Sequence, residues 1–272
     1  ILLPAPVTTN QPVAISARPG TPNQYYVFTN TANFTTGGNV FVTTVDMSLQ
    51  GNAIGSEPPI GQVITANVPT GLTNRSEGMI TVPHSNGTSF WLITHENGQD
   101  NFAATLIDGS GVFGTTTISP AITGFPMSAA NFSYHAATGK LAVSPQSDNR
   151  NVAILNFNNT SGAITLDRLI LTSGVASTTN QAIYDTEWSP TGRFLYISIH
   201  GETGITANVL QFDMTAPAGT SLVSVLDIPV TRSYGLIIAP DTTIYHLYQA
   251  TAGGPFLLGR LTDLESVGIA VT

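Results

Sequence analysis

The stretch YDTEWSPTGRFLYISIHGETGITANVLQFD, residues 184–213, holds three apolar-alternating runs in a row. The first ends at Trp188, a Ser-Pro-Thr-Gly turn follows at 189–192, and a second run covers Phe194 to Ile199. After a polar loop, a third run from Val209 to Phe212 stops at Asp213. Alternation with period two, punctuated by Pro, Gly, Asn and Asp, marks half-buried strands joined in hairpins. The stretch therefore reads as a small antiparallel meander.

Working outward, the same unit recurs. Its first hairpin reads ARPGTPNQYYVFT at 17–29, VPHSNGTSFWLIT at 82–94, YHAATGKLAVS at 134–144, WSPTGRFLYIS at 188–198 and APDTTIYHLY at 239–248. Each bend carries the residues that supply a positive or pre-set φ. A third strand recurs at 39–46, 101–108, 151–158, 207–213 and 255–263, and four of these close on Asp46, Asp108, Asp213 and Asp263. A fourth strand is expected at 62–68, 113–119, 163–171, 220–228 and 266–271. Second strands begin near Tyr25, Phe90, Leu141, Leu195 and Tyr245, a period of roughly 50–65 residues. Four strands per copy at that spacing are the blades of a β-propeller, because a meander apolar on both faces must stack on a neighbour. The expected fold is all-β, with blades at 12–69, 77–121, 129–171, 182–229 and 233–271 of a single domain over 1–272. Almost no helix is expected, since no stretch keeps a 3.6-residue period.

Composition narrows the function classes. With 272 residues, 42% of them hydrophobic, the chain can bury a substantial core. Only 9% of residues are charged, and Thr, Asn, Ser and Gly fill the polar positions, a surface that suits exposed pleats in strand-rich extracellular proteins. A net charge of −8, with a single lysine, Lys140, and scattered arginines, excludes a phosphate-backbone partner. No apolar run of 18 residues is present, so no membrane insertion is expected. The chain begins at Ile1 without Met, and an export signal is expected to have been removed or to lie upstream. The absence of cysteine rules out disulfides and thiolate metal sites.

Four segments carry a resemblance: NQYYVFTNTANFTTGGNVFVTTVDMSLQGN, HSNGTSFWLITHENGQDNFAATLIDGSGV, TGKLAVSPQSDNRNVAILNFNNTSGAITL and YDTEWSPTGRFLYISIHG. They look like consecutive blades of a propeller region in secreted and cell-surface proteins of the Bacteroidetes, the gliding-motility-associated, type IX-secreted group. The SPxG turn followed by an LYIS-like run is shared with YVTN-type and lactonase-like propellers. The resemblance covers roughly residues 1 to 260 and implies an exported surface protein. Members of that group carry a further blade on either side and a C-terminal sorting domain. The 272 residues are accordingly read as part of a longer chain and a six- or seven-bladed ring, with a complete five-bladed ring as the alternative. The resemblance also makes Asp241-Thr242-Thr243 look like a short O-glycosylation signal, and Asn33, Asn74, Asn86, Asn131, Asn158 and Asn159 satisfy N-x-S/T.

His95 and His200 end equivalent second strands, an equivalence a repeat produces without function; ligation of a metal would need both to face one channel. His84, His135 and His246 lie in or beside hairpins and read as surface or packing residues. Asp46, Asp108, Asp213 and Asp263 occupy turns, where Asp bonds backbone N–H groups, and carboxylates dispersed over different blades do not converge on one bond. Glu96, Asp100 and Asp148 make acidic loops that could offer oxygens to Ca²⁺. Trp91 and Trp188, with Tyr25, Phe90, Phe132, Tyr184, Tyr196 and Tyr245, read as packing between blades, with stacking on sugars as the alternative. No nucleophile elbow, zinc-protease motif or phosphate loop is present.

The sequence expectation is therefore a chain that is not an enzyme, with no catalytic, cofactor-binding or metal residue assigned. It is expected to act as an extracellular scaffold or adhesion platform whose partner is a surface glycan, a protein or a neighbouring domain. The alternative is a lactonase-like hydrolase with a divalent ion in the channel.

Overall fold

The computed structural model describes residues 11–33, 36–52, 54–55, 57–110, 113–122, 130–145, 151–171, 182–201, 206–217, 222–226 and 230–268. Among them every regular element is a strand, and the strands form five antiparallel blades of a β-propeller fold. Each blade is an up-and-down meander with its strands in chain order. The first blade holds β1 (Val13–Ala17), β2 (Gln24–Asn30), β3 (Val40–Asp46) and β4 (Gln62–Pro69). The second holds β5 (Arg75–Pro83), β6 (Phe90–Glu96), β7 (Phe102–Ile107) and β8 (Phe113–Ile118). The third runs through β9 (Ala130–His135), β10 (Lys140–Pro145), β11 (Asn151–Phe157) and β12 (Ile164–Leu171). The fourth comprises β13 (Ala182–Trp188), β14 (Phe194–His200), β15 (Asn208–Asp213) and the short β16 (Val223–Ser224). The fifth has three described strands, β17 (Arg232–Ile238), β18 (Ile244–Gln249) and β19 (Leu257–Leu261). Its fourth strand was expected at 266–271; there 266–268 form a turn and the remainder lies outside the described residues.

The chain divides into two compact units, one of residues 1–129 with 157–165, the other of 130–156 with 166–272. In the first, one face of blade one, with Tyr26, Phe28, Val40 and Val42, packs on Met79, Leu92 and Ile107 of blade two. In the second, β14 shows why its sequence is apolar at all positions but Ser198 and His200. Leu195, Ile197 and Ile199 face Ala142, Val152 and Ile154 of blade three. Phe194 and Tyr196, on the opposite side of the pleat, face Leu236, Ile244 and Leu261 of blade five. A strand buried on both faces loses the polar half of the alternation.

The turns are specified locally. In the β13–β14 hairpin, Ser189 N donates to Phe194 O, Gly192 N to Ser189 O, and Phe194 N to Ser189 Oγ. Gly192 has φ 72°, and a Cβ there would lie 2.5 Å from His135 Nδ1, so glycine is demanded twice over. After β3, β7 and β15, the carboxylates of Asp46, Asp108 and Asp213 accept the N–H and hydroxyl of Ser48, Ser110 and Thr215. Those bonds hold all three carboxyls below the ordinary aspartate range. Asp263 instead takes φ 53° and its carbonyl receives Ser266 N.

Both tryptophans pack between sheets, as expected. Trp91 is buried, stacks on His84 and donates from Nε1 to Asn159 O at 2.9 Å. Trp188 is buried beside His135 and points Nε1 at Ser133 O. Outer strands β4 and β8 are largely exposed and carry threonine pairs, Thr44 with Thr65 and Thr105 with Thr116, about 3 Å apart.

The first strands of blades two, four and five are irregular. Register shifts fall between Arg75 and Met79, between Ile183 and Asp185, and between Ser233 and Leu236. Such bulges bend a strand and re-aim its side chains, and two of them frame the site described next.

Candidate functional site

In the second unit, two carboxyls stand on β13 where alternation alone would have turned them to solvent. Asp185 and Glu187 are two residues apart, which places their Cα atoms about 7 Å apart on one face of the strand. The bulge after Ile183 and the edge of β17 enclose them. Asp185 Oδ1 accepts Thr186 N at 2.8 Å and its Oδ2 accepts Leu236 N at 2.9 Å. Glu187 Oε1 accepts Trp188 N at 2.8 Å and its Oε2 accepts Ile238 N at 3.1 Å. β17 pairs only with β18 among the described strands, so two N–H groups on its other edge would otherwise lack acceptors. Each carboxyl oxygen receives one donor and keeps a second lone pair.

Enclosure sets the electrostatics. Burial pushes the Asp185 carboxyl up to about 7, against the opposing pull of the Leu236 and Thr186 N–H groups, and the neighbouring Glu187 charge adds to the rise. Burial likewise raises Glu187, opposed by the Trp188 and Ile238 N–H groups. Part of each residue remains accessible. Gly235 lies inside the β17 bulge, and a Cβ there would be 3.6 Å from Asp185 Oδ2. Glycine leaves that side of the carboxyl without a side chain over it. Two acids side by side, one holding its proton up to neutrality, can donate a proton and receive another.

A buried polar chain joins sheets four and five. Ser198 Oγ and Ser233 Oγ are 2.7 Å apart, Ser233 Oγ meets His246 Nε2 at 2.8 Å, and His200 Nδ1 lies 3.1 Å from Ser233 O. His246 is completely buried, and burial lowers it to about 4, so the ring is neutral and structural. The two serines are equally inaccessible and hold sheets four and five together.

His95 and His200 fall in different units. His95 is fully buried on β6 against Phe102, and burial lowers it to about 3. His200 ends β14 beside the rings of Tyr184 and Tyr234. Among the described residues no group of three or more His, Asp or Glu side chains is placed to hold a metal. His84 accepts Asn86 N, and His135 bridges Thr138 and Pro190 O, both at hairpins. Glu96 and Asp100 lend their carbonyls to Gln99 N and Ile122 N, while Asp148 lies outside the described residues. Asp241 is a turn residue whose carboxylate accepts Thr243 N and the Tyr245 hydroxyl.

Sequence reasoning passed over Asp185 and Glu187. The signal was present in YDTEW, two acids at alternate positions in the first strand of a blade. The edge that encloses them comes from residues 51 positions later, which the local pattern does not show.

No family model matches the chain, and no curated protein matches it. Among solved structures it is similar to an exo-β-1,3-galactanase from Clostridium thermocellum, with a TM-score of 0.54 at 11% identity over 97% of this chain. The chain spans 61% of the galactanase's length. It is also similar to a protein from Bacteroides uniformis provisionally named a 6-phosphogluconolactonase, with a TM-score of 0.52 at 12% identity, covering 92% of this chain and 81% of that one. At such identities the likeness is one of fold, the β-propeller, and the resemblance to Bacteroidetes surface proteins reaches no further than that. The expectation that the chain is not an enzyme is corrected here. It rested on the blade architecture and on dispersed carboxylates. Both similar structures bear enzyme names on the same architecture, and Asp185 and Glu187 share one strand.

Proposed function

We propose that the chain is a hydrolase that cleaves a glycosidic bond, with Asp185 as the proton donor and Glu187 as the base. The observation that carries the reading is the carboxyl pair on β13 held against the β17 edge, with Asp185 bonded to Leu236 N and Glu187 to Ile238 N, both raised by burial and Asp185 up to about 7. In the reaction, the Asp185 carboxyl gives its proton to the bridging oxygen as the bond from that oxygen to the anomeric carbon breaks. Glu187, once ionised, takes a proton from the water whose oxygen bonds to the same carbon. The likeness to a galactanase and to a provisionally named lactonase supports the choice of a sugar-derived substrate, since both names denote sugar chemistry. An extracellular setting, drawn from the low charge and Thr-rich pleats, belongs to the same proposal.

The test is turnover of a panel of nitrophenyl glycosides, with aldonolactones alongside, by the wild type and by the Asp185→Asn and Glu187→Gln variants. The reading expects at least one glycoside to be cleaved and each variant to lose on the order of 10²-fold or more. Wild-type rates in both variants, or cleavage of lactones alone, would refute it.

A further inference from the structure

We propose that Tyr234 and Phe256, with Tyr184 behind them, form a stacking surface for a neutral pyranose ring beside the carboxyl pair. The proposal rests on the hydrolase reading for its choice of ligand. The rings of Tyr184 and Tyr234 meet edge-on with centroids 5.4 Å apart, and Phe256 lies 5.3 Å from Tyr234. His200 packs against both tyrosines, 5.8 Å from Tyr184 and 4.8 Å from Tyr234. None of these rings belongs to the cluster around Leu195 or to the one around Phe194. Phe256 is 60% exposed. A large aromatic side chain kept in water at the end of a ring array invites an amphipathic partner, and the C–H face of a sugar supplies one.

The array is built, and two of its rings adjoin the site in the chain. Tyr184 is the residue before Asp185, and Tyr234 precedes Gly235, where a Cβ would lie 3.6 Å from Asp185 Oδ2. The β17 bulge, between Ser233 and Leu236, is the irregularity on which Tyr234 sits. The Tyr234 hydroxyl donates to Gln249 Oε1 at 3.0 Å, and Gln249 Nε2 donates to Gly254 O at 2.6 Å. Thr231 adds bonds to Gln249 O and Ala250 O. The loop that carries Phe256 is thereby tied to the strand that carries Tyr234. Ordering before binding reduces the entropy that a ligand must overcome.

The experiment measures retardation in native affinity gels cast with laminarin, xylan or a β-1,3-galactan. It uses the full chain in an Asp185→Asn background, so that no turnover is needed. One of the three polysaccharides is expected to retard the parent. Phe256→Ala and Tyr234→Ala should each weaken retardation at least 10-fold in apparent dissociation constant, while Ile54→Ala, which removes an exposed apolar side chain of the first unit, should not. Because Tyr234 is half-buried, the thermal midpoint of each variant is recorded. The 60%-exposed Phe256 keeps the test readable should Tyr234→Ala unfold. Parent-like retardation of Phe256→Ala, or no retardation by any polysaccharide, overturns the proposal. Absence of glycoside cleavage in the wild type, with retardation intact and lost in Phe256→Ala, overturns the hydrolase reading alone.

Discussion

Replacing Asp185 by Asn removes a carboxyl that burial pushes up to about 7, and the consequence is a change in how stability depends on pH. In the folded chain Asp185 is pushed to about 7, against 3.8 for an ordinary aspartate. A raised carboxyl binds its proton more tightly folded than unfolded, so the stability it contributes is fully present below about 4 and is lost as pH rises through about 7. The gap corresponds to about 4 kcal/mol at most, at about 1.4 kcal/mol per pKa unit, and the partial accessibility of the residue brings the expected figure to about 2–4 kcal/mol. Asparagine is neutral throughout, so the variant should lack this fall. It also has one acceptor oxygen where the carboxylate has two, and its amide must face either Thr186 N or Leu236 N. That conflict costs about 1–3 kcal/mol at every pH. The two effects separate because only one varies with pH. Urea unfolding followed through Trp188, in a Trp91→Phe background so that only the second unit reports, should be run from pH 4 to 9. The difference between parent and variant should shrink by about 2–4 kcal/mol across that range, and Glu187, also raised, adds a fall of the same sign to both curves. A difference that stays constant with pH would refute the claim that Asp185 is enclosed.

Leu195→Ala should cost about 2–5 kcal/mol, since the side chain is fully buried between blades three and four, and the thermal midpoint is the readout. Gly192→Ala must hold φ 72° and push aside a His135 ring 2.5 Å from the new Cβ. A loss of about 2–4 kcal/mol is expected, and a double-mutant cycle with His135→Ala should recover the part due to the ring. Arg193→Ala breaks a 2.9 Å ion pair with Asp213 at a surface hairpin. It should cost under about 1 kcal/mol and nothing measurable in high salt.

Much of the architecture was legible because it is local. The turns at Gly192, Asp46, Asp108 and Asp213 are specified by a few adjacent residues, and FLYISI, apolar but for Ser198, marked a strand. The pairing of each hairpin followed from its turn. What stayed hidden depends on contacts between strands far apart in the chain. His246 looked like a hairpin residue, yet it is buried against Ser233 because it occupies an inward position of β18. Asp185 and Glu187 drew no notice because nothing in YDTEW reveals the β17 edge that covers them. Tyr234 and Phe256 gave no periodic signal, since one sits on a bulge and the other in a loop held by Gln249. Repeat logic favours packing explanations, and it failed where a strand departs from the regular pleat.

The pH dependence of kcat/KM for the best glycoside tests the carboxyl-pair account most directly. The rate should fall about tenfold per pH unit above about 7 as Asp185 loses the proton it donates, and that limb should vanish in Asp185→Asn together with most of the activity. A rate unchanged from pH 6 to 9, or a variant with the parent's profile, would contradict it.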